Sequence, residues 1–275
     1  MEKPTDNPSA DGMSFWEHLD VLRGVLIKAV VAVALCSAAA FAFKDEVFSI
    51  ILAPRSNTFF TYRLLAMATP WSDGPGVALF SIRLINTQLA GQFVIHMKMA
   101  VCAGLLAASP YVLFLLFRFV APALYAKERK YALQAATGGY MMFALGVLLC
   151  YFLIFPLTLR FLGTYQVSSD VVNAISLSSY TETLLTMSLL MGVVFELPVL
   201  CRVLAGMGVL SAATMRRFRK HTVVVILLIA AAITPTSDVF TMMLVALPVW
   251  LLYEASILLV ARVGRRKEAQ SCQEA

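Results

Sequence analysis

The sequence is short of charge. Only 14% of its 275 residues are Asp, Glu, Lys or Arg, where soluble domains carry roughly a quarter. Hydrophobic residues make up 60% and mean hydropathy is +0.81. A chain this apolar cannot hide its surface around one aqueous core, which excludes an ordinary soluble domain and makes the bilayer its solvent. It also lacks a GxxxxGK[ST] loop and an HExxH pair, so nothing supports nucleotide binding or zinc hydrolysis. No GxGD or GxSxG stretch is present to suggest an intramembrane protease. The five cysteines, Cys36, Cys102, Cys150, Cys201 and Cys272, have no metal-ligand spacing; four sit in apolar runs and read as small buried hydrophobes. The expectation is therefore a protein that is not an enzyme, holds no metal or cofactor and takes no nucleic acid.

What is present is six apolar runs, at about 24–43, 93–117, 131–155, 183–205, 221–235 and 239–261. Backbone polar groups in hydrocarbon must be satisfied within the segment, so each run reads as a helix. The expected fold is an all-α membrane protein of six transmembrane helices, several bent by proline (Pro110, Pro156, Pro198, Pro248), forming a concave bundle with a structured outer loop. Residues 1–23 form an amphipathic N-terminal segment, 24–261 the transmembrane domain with a cap loop at 44–92, and 262–275 a basic tail. The first run is too long for a signal-peptide core. It follows Glu2, Asp6, Asp11, Glu17 and Asp20, the wrong charge for a leader. The fifth run is short: Thr222–Ile233 gives about 18 Å of helix against a hydrocarbon core of about 30 Å. It spans only if Arg219, Lys220 and His221 snorkel or the bilayer thins beside it; a re-entrant hairpin of runs five and six is the alternative.

Basic residues orient the chain. Arg118, Lys127, Arg129 and Lys130, then Arg202, Arg216, Arg217, Arg219 and Lys220, then Arg262, Arg265, Arg266 and Lys267 all fall on the side of Lys3, Arg23 and Lys28. The positive-inside rule puts both termini in the cytoplasm. The 44–92 loop then lies outside, with Trp71 and Tyr62 expected at headgroup level and a turn at "SDGPG".

Acids in costly places are the candidate sites. Glu196 interrupts "MGVVFELPVL", where a charge at mid-bilayer costs about 2.5–3.5 kcal/mol on insertion scales. Glu182, Thr186, Leu189, Val193 and Glu196 share one helical face, and Pro198 predicts a bend beside Glu196. Glu254 lies two turns from the end of run six. His96 and Lys98 open run two as interface anchors. On the cytoplasmic side, "FVAPALYAKERKYA" carries Glu128 between Lys127 and Arg129. The stretch at 13–26 carries Glu17, Asp20 and Arg23 opposite Phe15, Leu19, Leu22 and Leu26, which suits a helix at the interface. Together the two elements offer carboxylates to a basic ligand.

These stretches resemble the TatC family, the multi-spanning receptor subunit of the twin-arginine (Sec-independent) protein translocase. The resemblance runs from about residue 14 to 262 through "HLDVLR", "LAPR", "FVAPALYAKERK", "FPLTLRFL", "GVVFELPV" and "TPTSDVF". It implies a receptor in the bacterial cytoplasmic (inner) membrane that binds the paired arginines of a folded cargo's signal peptide. It implies single-span TatA-like and TatB-like partners, homo-oligomers within a receptor complex, and export driven by the protonmotive force. By position Glu128 matches the family's signal-peptide contact, with Asp20, Glu17, Arg23, Lys127 and Arg129 around it. Glu196 matches the buried glutamate of span four. Asp238 matches the acid between spans five and six, beside Thr234; with Glu254 these form the intramembrane polar and partner-binding set. Pro54 matches a loop proline, and Pro122 and Pro198 are further structural positions. Two departures stand out. Val21 and Val25 replace the glutamate and second arginine of HLxELRxR, leaving Asp20 as the neighbouring acid. "TPTSD" is one residue longer than TPPD, with Met242 where a polar residue is usual. A small-solute secondary transporter is the alternative, but no internal repeat of the kind many such transporters carry is evident.

A membrane-impermeant thiol reagent applied to intact cells is expected to spare Cys272 and to label cysteines introduced at 60–85. Labelling of Cys272 reverses the topology.

Overall fold

The computed structural model describes residues 15–56, 58–68, 84–120, 129–165, 174–234 and 238–274. Helix α1 (Phe15–Ala42) carries the amphipathic stretch into the first span as one element. That stretch and the span were expected as two, but no proline interrupts them. After α2 (Lys44–Leu52) and α3 (Phe60–Ala68) the chain makes a short strand β1 (Leu84–Ile85) and crosses as α4 (Gly91–Val120). The third crossing combines α5 (Arg129–Leu149), a π-turn (Cys150–Ile154) and α6 (Phe155–Thr164), and so runs beyond the expected end at 155. Strand β2 (Ile175–Ser176) leads into α7 (Leu177–Val194) and α8 (Leu197–Gly206), which share the fourth crossing. Helix α9 (Ala212–Arg217) connects to α10 (Arg219–Ile233), and α11 (Val239–Glu274) carries the expected tail on as helix, since no proline follows Pro248 to stop it.

Among the described residues, five helical stretches are long and apolar enough to cross a membrane. Helix α10 is the sixth and falls short: 15 residues make about 22 Å at ~1.5 Å per residue. Among the described residues the bundle thus has two opposite ends, one holding α2, α3 and the two short strands, the other holding α9.

At the first end, α2, a 3-10 turn (Ala53–Arg55) and α3 form a cap held down by hydroxyls that donate to backbone carbonyls. Tyr151 donates to Ile50 at 2.6 Å and Tyr180 to Ile51 at 2.8 Å. The Tyr62 hydroxyl lies 3.1 Å from both the Pro54 and Pro156 carbonyls. Burial pushes its phenol well above the ordinary range, so it stays a donor at physiological pH. Tyr62 is therefore a buried clamp, 6% exposed, and not the headgroup anchor expected. Trp71 and "SDGPG" lie outside the described residues. Pro156 has no N–H for the carbonyl four residues earlier, that of Phe152, and Thr61 Oγ1 donates to that carbonyl instead. The cap is closed by parallel pairing of β1 with β2. His96 stacks on Phe41 with centroids 4.1 Å apart, packing α4 against the end of α1.

The main core forms where the third to sixth crossings meet, around Cys150, Met187, Met191, Ala230, Val245 and Val249. Met242 packs against it from α11. Helix α1 instead lies against α4, and the approach is close. A Cβ built on Gly104 would stand 2.2 Å from Ser37 Oγ, 2.4 Å from Ser37 N and 2.5 Å from its Cα. Small residues let membrane helices meet backbone to backbone in this way.

Gly104→Ala is expected to push α1 off α4 and destabilise the protein by about 1–3 kcal/mol, read as a lower thermal unfolding midpoint in detergent. Ser37→Gly should not rescue it, because the Ser37 backbone is itself in the way.

Candidate functional site

The fourth crossing breaks where the sequence places Pro198. Helix α7 ends at Val194, Pro198 opens α8, and Glu196 occupies the joint with no side-chain cap bond. Lacking an N–H, Pro198 cannot continue the ladder to the Val194 carbonyl. Glu196 is 7% exposed and neither carboxyl oxygen has a hydrogen-bond partner among the described residues.

Helix α5 makes the slot in which this carboxyl lies. Gly139, Phe143 and Gly146 recur at spacings of four and three, one helical face. A Cβ on Gly146 would meet the Met191 carbonyl at 2.7 Å, and one on Gly192 would meet Phe143 at 2.7 Å, so α5 and α7 touch through glycines. At Gly139 a Cβ would stand 2.9 Å from Glu196 Oε2 and 2.7 Å from Phe117. Gly139 therefore leaves the space that the carboxyl occupies.

In front of Glu196 runs an apolar groove of about 290 Å³ between α4 and α7–α8, lined by Leu105, Ser109, Val112, Leu113, Leu116, Phe117, Phe143, Leu189, Val193 and Leu200. Its one hydroxyl is already engaged: Ser109 donates to the Leu106 carbonyl at 2.7 Å, the carbonyl that Pro110 cannot serve. Chemically, the groove offers apolar walls and one carboxyl that no protein donor or acceptor meets. Leaving such a group unmatched costs about 1–3 kcal/mol, so the arrangement suits an incoming apolar segment with a polar group at the right height.

The expected seam on α7 is partly realised. Leu189, Val193 and Glu196 line the groove; Thr186 is exposed; Glu182 forms an ion pair with Lys98 of α4. The other intramembrane candidates are not gathered at Glu196. Asp238 caps α11, its Oδ1 accepting from the Thr241 N–H at 2.6 Å. Thr234 ends α10, donating to the Ala230 carbonyl at 3.0 Å. Glu254 accepts from Arg219 at 2.7 Å, tying α11 to the start of α10. Asp238 and Glu254 stand 16 residues apart on α11, about 24 Å.

Of the signal-binding candidates, Asp20 and Arg23 are exposed on α1, and Glu17 lies on the same helix. Arg129 opens α5, whereas Pro122, Lys127 and Glu128 lie outside the described residues. Pro54 is buried in the 3-10 turn of the cap. Gly139, Ser109 and the Lys98–Glu182 and Arg219–Glu254 pairs were not expected. Only the glycine spacing on α5 and the serine before Pro110 could have signalled them.

A helical bundle with several apolar crossings, one of them broken at a buried acid, and a capped end defines a polytopic membrane protein. Residues 17–248 match the family described as Sec-independent protein translocase protein (TatC). The chain is 36% identical over 268 residues to the Sec-independent protein translocase protein TatC of Koribacter versatilis, covering 96% of this chain and 92% of that one. It is 32% identical over 257 residues to the protein of that name from Aquifex aeolicus, covering 93% and 98%. A crystal structure titled as the twin arginine translocase receptor TatC superposes with a TM-score of 0.73 at 31% identity, covering 90% of this chain and all of the other. The chain belongs to the TatC family.

Because the Glu196 carboxyl is unmatched in the free protein, Glu196→Leu is expected to leave the thermal midpoint in detergent unchanged or raised. A marked fall would mean that the carboxyl holds the fold together.

Proposed function

We propose that this chain is the receptor core of a twin-arginine translocase in the bacterial inner membrane. It recognises paired arginines on its cytoplasmic face and exports folded cargo with single-span partner subunits, acting as a receptor and not as a catalyst. The observation that carries the reading is Glu196, buried without a hydrogen-bond partner among the described residues, beside an apolar groove. Acids inside a membrane are expensive and mark functional places, and this one has no structural bond to account for it.

Recognition begins at the basic end of the bundle, which the positive-inside rule assigns to the cytoplasm. Guanidinium groups bind carboxylates through two parallel hydrogen bonds. Glu128 is the primary acceptor, Asp20 or Glu17 the second, with Arg23, Lys127 and Arg129 flanking them. Asp20 takes the part of the glutamate that Val21 displaces; its exposure on α1 supports this. The apolar part of the signal, or the helix of a single-span partner, then lies in the groove and meets Glu196. Asp238 and Thr234 hold the α10–α11 joint, where a second partner helix docks. Copies of the chain assemble side by side in the receptor complex.

Glu128→Gln is expected to weaken binding of a twin-arginine signal peptide at least tenfold while insertion is unchanged, measured by photo-crosslinking from position 128 and by export of a folded reporter. Glu196→Leu should insert and yet lose export. Normal export by both variants would overturn the reading.

A further inference from the structure

An ion pair bridges the two groove walls beyond one end of the groove lining. Stepping back seven residues from Leu105 on α4 reaches Lys98, and seven back from Leu189 on α7 reaches Glu182. Seven residues are close to two helical turns, so both lie on the groove-lining faces of their helices. These two side chains form an ion pair, each about half exposed, at 50% and 53%. The two groove walls are therefore tied together about four turns from Glu196, toward the end that holds α2 and α3. A segment lying in the groove cannot continue past that level without separating the pair.

The other limit is Glu196, at the joint of α7 and α8. Fourteen residues separate Glu182 from Glu196, about 21 Å of helix at ~1.5 Å per residue. We propose that the Lys98–Glu182 ion pair is the end stop of the Glu196 groove. It thereby limits the apolar segment of an inserted signal peptide to about 14 residues beyond the polar group that meets Glu196. The proposal rests on the receptor reading, since that reading supplies the inserted segment. It adds a length criterion, set by a pair of residues far from the arginine-binding carboxylates.

A half-exposed pair contributes little to stability, so removing it should leave the protein folded. The test uses the full chain in its membrane with its partner subunits. The probe is a folded reporter behind twin-arginine signals that carry one polar residue at a fixed distance from the arginines, with the apolar segment beyond it growing by one turn at a time, from about 10 to about 22 residues. Wild type should export best near about 14 residues and fall about tenfold when the segment is two turns longer. Lys98→Met combined with Glu182→Leu should export the longer signals as well as the reference one. Lys98→Glu combined with Glu182→Lys, which restores a pair of opposite hand, should return the wild-type length profile. Identical profiles in wild type and the broken pair overturn the end stop while leaving the receptor reading intact. Failure of the wild-type chain to export any twin-arginine signal overturns the receptor reading and the proposal with it.

Discussion

A proline in a hydrocarbon environment leaves a carbonyl that water cannot reach, and much of this structure depends on how that carbonyl is answered. At Pro156 the Phe152 carbonyl is met by Thr61 from the cap, so a defect in the third crossing becomes the place where the cap attaches. Tyr62, next in sequence, reaches the Pro156 carbonyl itself. At Pro110 the answer is local, since Ser109 turns back to Leu106. Pro198 is treated differently: the helix is divided there, and the joint presents Glu196. Three prolines thus produce an attachment, a repaired helix and a site.

The site depends as much on what is missing as on what is there. Glycines on α5 and α7 let the third and fourth crossings approach closely, and the same spacing leaves the Glu196 carboxyl its place over Gly139. The α4 wall is apolar apart from a serine whose hydroxyl is occupied. Nothing described in the chain competes with an incoming group for the carboxyl. Close packing and an unsatisfied acid are usually opposed in energy. Here the packing holds the acid in position, with an apolar groove in front of it.

Much of this was legible in the residues. Apolar run lengths indicated six crossings, including the short fifth, because a bilayer imposes a length on any helix that spans it. Pro198 indicated the break beside Glu196, because proline's missing N–H acts on its own helix. The positions of the first and last helix ends were less legible. Nothing in 15–42 or 249–274 stops a helix, and hydropathy ends where helicity does not. Tyr62 was misplaced because an aromatic with a polar tip suits a headgroup layer and a buried carbonyl equally well; only its contacts decide. The pairs Lys98–Glu182 and Arg219–Glu254 join residues 84 and 35 positions apart, and no local pattern ties them. Gly139 was silent for a related reason: its importance lies in a side chain belonging to another helix.

The length of α11 has a mechanical consequence. Its 36 residues extend about 54 Å, well beyond a hydrocarbon core of about 30 Å. One end is fixed at the Asp238 cap and the middle is tied to α10 through Glu254. The remainder, beyond Val263, continues as helix past the packed cluster of Ala205, Met215, Ile257 and Val260. A tilt of about 10° about the capped end would carry the far end through about 9 Å. A rearrangement among the packed crossings would therefore be read at the basic end as a displacement about twice that at Glu254.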